Sequence, residues 1–253
     1  MPFECCRVTR APDSTVEPRE VIVSAKANEQ ARIIILTGHY GSGKSELSIQ
    51  LALKLAQQHA AVALVDVDVV NPYFRSRERR ALLEEHGIRV IANTLGVDQG
   101  VDLPAISAEI YAPLRDGHTR TVVDAGGDPV GARVLSSFRR LLDPRQTEVL
   151  CVVNAARPQT ADARAVIDQI AAIEQASGLK VTALINNTHL LEHTERLHVE
   201  AGDDVCREVS RQSGLPIRYT GVTEHVCSDL PADLAGEIIP ISMHLRESWM
   251  KSS

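Results

Sequence analysis

The stretch from Arg32 to Gln58 constrains the fold more than any other part of this chain. Arg32–Thr37 (RIIILT) is apolar and β-branched, and reads as a buried strand. It runs straight into Gly38-His39-Tyr40-Gly41-Ser42-Gly43-Lys44-Ser45. A helix is predicted over Lys44–Gln58, with Leu47, Leu51 and Leu55 repeating on one face. A strand that turns through glycines into a helix sends the next strand back in parallel, because the helix supplies the crossover that parallel pairing needs.

The same alternation continues along the chain. Ala61–Val65, Ile88–Ile91, Thr121–Val123, Glu148–Val153, Val181–Ile185 and Ile217–Thr220 read as strands, and Glu237–Met243 as a candidate for one more. Helical patterns cover Phe74–His86 (closed by Gly87), Ile106–Arg115, Gly131–Leu142, Ala161–Ala176 and Thr194–Gln212. This order predicts an α/β, three-layer architecture with a mainly parallel sheet between helices. Ligands of such sheets bind at the carboxyl ends of the strands. Residues 32–253, C-terminal tail included, read as a single domain, with Leu245–Met250 as a terminal contact. Residues 1–31 read as a flexible N-terminal extension with a short strand at Val21–Val23.

Composition narrows the function classes. The 253 residues are 44% hydrophobic, enough for one substantial core. A net charge of −6 gives no global basic field, and 3% aromatics gives few stacking platforms, so no nucleic-acid partner is expected. The leader MPFECCRVTRAPDSTVEPRE lacks an apolar signal core, and no stretch has the length of a membrane span, so a cytoplasmic location is expected. Five cysteines without a CxxC pair argue against a disulfide framework or zinc ribbon, and Cys151 reads as a buried thiol.

The chemistry gathers at strand ends. Gly38–Ser45 fits GxxxxGK[ST], the Walker A phosphate loop, in its strand–loop–helix setting. Glycines let the loop curl until its N–H groups face phosphate oxygens, and the helix adds the positive end of its dipole. Lys44 would reach the β- and γ-phosphates, and Ser45 would place a hydroxyl on Mg²⁺. Asp66 and Asp68 close the second strand with both carboxylates on one side, which is unfavourable without a cation or donors. Asp124 ends an apolar strand in the Walker B manner and would hold Mg²⁺. Asp128 is an alternative further from the strand. Asp124-Ala125-Gly126-Gly127 has the form DxxG, a segment that can change conformation with a γ-phosphate.

Together the phosphate loop, the Asp66/Asp68 pair and Asp124 with its glycines resemble the SIMIBI class of P-loop NTPases, in its MinD/ParA/ArsA-like branch, over roughly Arg32–Val222. The blocks Gly38–Lys44, Asp66–Glu78 and Asp124–Arg133 look closest to MinD-like ATP-binding proteins. The resemblance implies that Asp68 sits in switch I and orients the attacking water, and that Asp124 sits in switch II near Mg²⁺. It implies adenine contacts from Asn186 or Asn187, in Leu184-Ile185-Asn186-Asn187-Thr188, with Asn154 a second candidate. Where many relatives carry a lysine that reaches across a dimer, this chain has His39, so a homodimer around ATP stays open, with Arg75 and Arg77 as substitute cations. No paired cysteines for an iron–sulfur cluster are found, and His189, His193 and His198 cluster without a second signal for metal.

The leading expectation is therefore an ATP-binding hydrolase with Mg²⁺-dependent turnover, acting as a nucleotide-driven switch on a protein partner not yet identified. The absence of NKxD lowers the GTP reading. Two alternatives share the scaffold. One is a small-molecule kinase or ligase using Asp102, Asp128 and Arg133. The other is a nucleotide-binding partner protein that does not hydrolyse.

Overall fold

The computed structural model describes residues 31–68, 77–92 and 108–244. Eight strands form one sheet: β1 Ile33–Thr37, β2 Val62–Asp66, β3 Ile88–Ala92, β4 Arg120–Asp124, β5 Thr147–Val153, β6 Ala183–Asn186, β7 Ile217–Thr223 and β8 Glu237–Ile241. Their order is β3-β2-β4-β1-β5-β6-β7-β8, and every neighbouring pair is parallel. The helices are α1 Lys44–Ala56, α2 Arg77–Glu85, α3 Tyr111–Arg115, α4 Pro129–Ser136, α5 Ala163–Ser177 and α6 Arg196–Ser213. Each strand foreseen in residues 32–244 is present within a residue or two at its start. The strand at Val21–Val23, the contact at Leu245–Met250, and the residues Asn71–Ser76 and Asp102 lie outside the described residues.

Alternation along each strand sorts the core into two layers. Ile33, Ile35, Val65, Val123, Val149 and Cys151 pack with Leu135 and Phe138 and with Val166 and Ile170 of α5 and Cys206 and Val209 of α6. Ile34, Leu36, Leu64, Val122, Leu150 and Val152 face Leu47 and Leu51 of α1. The central strands are apolar on both faces, as a doubly covered parallel sheet requires. Fully burying one such leucine stabilises the fold by about 1.5–3 kcal/mol. At one margin, β8 carries Pro240, a residue that sheets tolerate at an edge.

Two helices differ from expectation. The segment predicted as Ile106–Arg115 is a 3-10 turn, Ala108–Ile110, and a short α3. Gly131–Leu142 divides into α4 and a 3-10 turn, Arg139–Leu141. Ser136 and Ser137 lie at the break, and their hydroxyls donate to the carbonyls of Arg133 and Val134 at 2.6 Å each. Such back-bonding competes with the helical ladder.

Candidate functional site

The chain leaves β1, which has β4, β2 and β3 on one side and β5 to β8 on the other, at Gly38. A crevice at such a switch point is where doubly wound sheets bind ligands. Gly38, Gly41 and Gly43 have φ of 146°, 77° and 81°, which only glycine adopts freely. Carbonyls of the loop turn inward. His39 O accepts from Lys44 Nζ at 3.2 Å and from Ser42 N at 3.2 Å. Gly41 O accepts from Asn154 Nδ2 and Arg157 Nε, both at 3.3 Å. Ser42 O accepts from Asn187 Nδ2 at 2.7 Å. With these carbonyls held by the protein, the loop is fixed in a curl whose N–H groups can turn to a ligand, the Ser42 N–H being given to His39 O.

The start of α1 carries the second half of that argument. Its N-cap is Gly43, and no side chain caps it. By contrast Asp128 Oδ1 accepts from Gly131 N at the start of α4, and Asp162 Oδ1 accepts from Ala165 N at the start of α5. In α6 the His198 Nδ1 accepts from Glu195 N. A helix start without a side-chain cap leaves N–H groups and a positive dipole end for an anion.

Asp66 and Asp124 are register partners on adjacent strands, so both carboxylates face the α1 side of the sheet. Asp124 is 1% exposed and neither of its carboxylate oxygens has a hydrogen-bond partner. Burial pushes its pKa up to about 6. The nearby Ser45 hydroxyl and Lys44 ammonium pull the other way, and Asp68 adds to the rise. Lys44 is itself buried, at 7% exposure. The Asp66 Oδ1 accepts from Asp68 N at 3.0 Å, which curls the chain after β2. A buried carboxylate without donors, beside a hydroxyl and a second carboxylate, is a donor set of hard oxygens that suits Mg²⁺. These residues therefore fit the cation that the motif implies.

The DxxG segment lies directly on the phosphate loop. A Cβ at Gly127 would sit 1.7 Å from Gly38 O, and one at Gly126 would sit 2.9 Å from Gly131 Cα and 3.2 Å from Asp68 Oδ1. Thr37 Oγ1 donates to Gly126 O at 3.3 Å. The two segments thus share one backbone thickness, with Asp68 at their margin. Asp128 Oδ1 accepts from Gly131 N and so caps the start of α4.

On the other side of the loop opens a cavity of about 260 Å³. Gly41, Gly43 and Glu46 form its floor, and Arg157, Asn187, His189 and Leu191 one wall. Gly221 and Thr223 of β7 close it with Ile241 and Met243, the last from just beyond β8. His244 N donates to Glu46 Oε2 at 2.9 Å, which ties that end of the chain to α1. Leu191 has φ 59°, the left-handed region that a branched, bulky residue rarely enters.

The asparagines divide sharply. Asn186 is fully buried away from this cavity. Its Nδ2 donates to Val199 O at 3.0 Å and its Oδ1 accepts from Thr188 N at 3.2 Å. A Cβ at Gly202 would sit 2.3 Å from that Oδ1, so α6 presses against it. Asn186 thus braces α6 against the β6 loop, and Asn187 is the asparagine on the cavity wall. Asn154, also fully buried, ties Gly41 O to the backbone of His189. His39 makes a 2.9 Å contact from Nδ1 to Tyr40 O. Tyr40 is 70% exposed at the loop's tip. Sequence reasoning missed Arg157, Thr223 and Met243, none of which belongs to a local motif. Among the described residues no helix is long and apolar enough to cross a membrane.

Solved structures of similar fold include the cell division protein FtsY of Thermotoga maritima, at 19% identity and a TM-score of 0.45, covering 75% of this chain and 61% of that one. The signal recognition particle receptor FtsY of Elizabethkingia anophelis in complex with GDP aligns at 20% identity and 0.48, covering 84% and 60%. FtsY of Mycoplasma mycoides aligns at 16% and 0.46, covering 83% and 64%. The matched region spans about three-fifths of the length of these structures. No curated protein matches the sequence. The model of the CobQ/CobB/MinD/ParA nucleotide binding domain matches residues 33–229, and with its phosphate loop, paired strand-end aspartates and DxxG segment the chain belongs to that family of SIMIBI-class P-loop proteins.

Proposed function

We propose that this protein is a Mg²⁺-dependent ATPase that works as a nucleotide-driven switch on a partner protein in the cytoplasm, with residues 32–253 acting as one domain. The observation that carries the reading is Asp124. A fully buried carboxylate with two unpartnered oxygens, next to Lys44 and Ser45, is costly unless a ligand completes it. Mg²⁺, when bound, neutralises charge that develops on the transferred phosphoryl group. Ser45, Asp66 and Asp124 are the residues that would hold it. Gly38–Ser45 would present backbone N–H groups to the phosphates, with Lys44 balancing their charge. Asp68, packed beside Gly126, would orient the attacking water.

The cavity favours adenine over guanine. Guanine is read by a carboxylate that accepts from its paired N–H groups. The sole carboxylate among the described lining residues is Glu46, which is already engaged by His244 N. Asn187 gives its Nδ2 to Ser42 O, which leaves its Oδ1 on the wall to accept from the adenine amino group. The contact of Gly127 with Gly38 of the phosphate loop supports a switch, because a γ-phosphate entering there would meet that backbone first.

The direct test is phosphate release from ATP and GTP with Mg²⁺ for the wild type, Lys44→Ala and Asp68→Ala, with oligomeric mass recorded in parallel. ATP-specific release that is lost in both variants is the expected result. Tight ATP binding with no release in the wild type would overturn the self-sufficient ATPase, and preference for GTP would overturn the base assignment.

A further inference from the structure

Arg157 is a cation in the cavity wall that the nucleotide reading has not used. It stands in the loop after β5, just ahead of the turn Pro158–Thr160. Its side chain is half-buried, and its Nε donates to Gly41 O at 3.3 Å. Among the described residues no carboxylate pairs with it. A guanidinium carries five N–H donors, and a single neutral carbonyl uses only one of those on a residue that lines the cavity. Gly41 accommodates it closely: φ there is +77°, and a Cβ would sit 3.1 Å from Arg157 Nε. The glycine therefore shapes the loop and also lets the guanidinium lie flat against it.

The position of Arg157 relative to Lys44 gives its ligand. Arg157 lines the nucleoside cavity together with Gly41, Gly43 and Asn187, whereas Lys44, Ser45 and Asp124 do not. The two cations thus flank the phosphate loop, Lys44 toward the Asp66 and Asp124 end and Arg157 toward the nucleoside. We propose that Arg157 is a second phosphate-binding residue, supplied by the same chain, that pairs with the phosphate attached directly to the nucleoside. This rests on the nucleotide reading above. The guanidinium's planar fork suits two oxygens of one phosphate, which a lysine at the same place would bind less well.

The test is calorimetric titration of adenosine, AMP, ADP and ATP, with Mg²⁺, into the wild type, Arg157→Ala, Arg157→Gln, Arg157→Lys and Lys44→Ala. Arg157→Ala is expected to weaken AMP, ADP and ATP alike, by roughly tenfold or more. Adenosine binding should stay as in the wild type. Arg157→Gln, which keeps the stem and a donor for Gly41 O, should show the same loss, and Arg157→Lys should recover part of it. Lys44→Ala should weaken ADP and ATP while sparing AMP. Equal loss for adenosine would mean that Arg157 only shapes the wall, and loss confined to ATP would move its contact to the far end of the phosphate chain. Either result overturns the proposal, as does full affinity in Arg157→Ala. A wild type that binds none of the three nucleotides overturns the nucleotide reading itself; a wild type that binds them with an unaffected Arg157→Ala overturns this inference alone. Unchanged melting temperatures for the variants exclude misfolding as the source of any loss.

Discussion

At the phosphate end of the site, Gly38–Ser45 is one continuous stretch, and Lys44 bonds a carbonyl five residues away. At the nucleoside end, Asn187 reaches Ser42 across 145 residues and Arg157 reaches Gly41 across 116. The first end is charged, buried and short of partners, as the bare oxygens of Asp124 show. The second is lined by three glycines and three apolar side chains, with Glu46, Arg157, His189, Thr223 and an Asn187 whose Nδ2 is already given to Ser42 O. The difference teaches that the two ends draw on separate sources of energy. At one end, a bound cation would relieve the electrostatic strain of the buried Asp124 carboxylate. Shape set by long-range packing admits the ligand at the other.

The largest expected effect separates the ends by chemistry. Lys44→Ala should lower single-turnover phosphate release by on the order of 10²–10³-fold, the range seen when one preorganised electrostatic group is removed. Asn187→Ala should cost far less once nucleotide is saturating. A larger loss of saturated turnover from Asn187→Ala would reverse the comparison.

The second effect concerns stability and pH in the nucleotide-free protein. Asp124 has its pKa raised from 3.8 to about 6 by burial, so between those values the folded state holds more protons than the unfolded chain. Its contribution is therefore fully present below about pH 4, is lost as pH rises toward 6, and stays absent above. The shift corresponds to about 2–3 kcal/mol. Asp124→Asn should flatten that part of the stability–pH curve in urea unfolding and leave the neutral-pH protein more stable, while abolishing Mg²⁺-dependent turnover. An unchanged slope would mean that the strain lies elsewhere.

A third prediction sets neighbouring asparagines against each other. Asn186→Ala strands the Val199 carbonyl and the Thr188 amide in the core, and should cost about 1–3 kcal/mol in unfolding free energy. Base preference should not move. Asn187→Ala should shift the ATP-to-GTP preference measured by competition, with a smaller stability loss. Equal effects in both assays would erase the distinction between bracing and reading.

The smallest effect is at the cavity's outer wall. Met243→Ala removes apolar contact surface, and should weaken adenosine binding by roughly threefold through lost burial. A loss as large as that of Asn187→Ala would make the wall, not the amide, the main source of nucleoside affinity.

How much of this was legible in the sequence follows the same division. RIIILT and GHYGSGKS sit side by side, and local periodicity with turn chemistry sufficed to place β1, the loop and α1. Asp66 and Asp124 were readable as strand ends, although their adjacency depends on β2 pairing with β4, which no local pattern states. The choice between Asn186 and Asn187 was not legible. Consecutive residues at a strand's end point to opposite sides, and only the position of Gly202 on α6 decides which amide is covered. Arg157 and Met243 were invisible because nothing nearby in sequence marks them. Arg157 stands four residues beyond β5, and only the pairing of β5 with β1 brings it beside the phosphate loop. The break after α4 escaped because Ser136 and Ser137 fit a helical pattern until their hydroxyls turn to the backbone.

The contact between Gly127 and Gly38 has a consequence for the protein's tolerance of change. With a Cβ at position 127 only 1.7 Å from the Gly38 carbonyl oxygen, and one at position 38 only 2.3 Å from Val152 O, these sites accept a one-letter alphabet. Random substitution across the chain would find ample room at Gly87, Gly117 and Gly214, where a Cβ meets nothing within 4 Å, although their positive φ still disfavours other residues. At 38 and 127 it would find none. Variation in such a protein must therefore accumulate around this contact, because the packing at positions 38 and 127 has no spare atom to give.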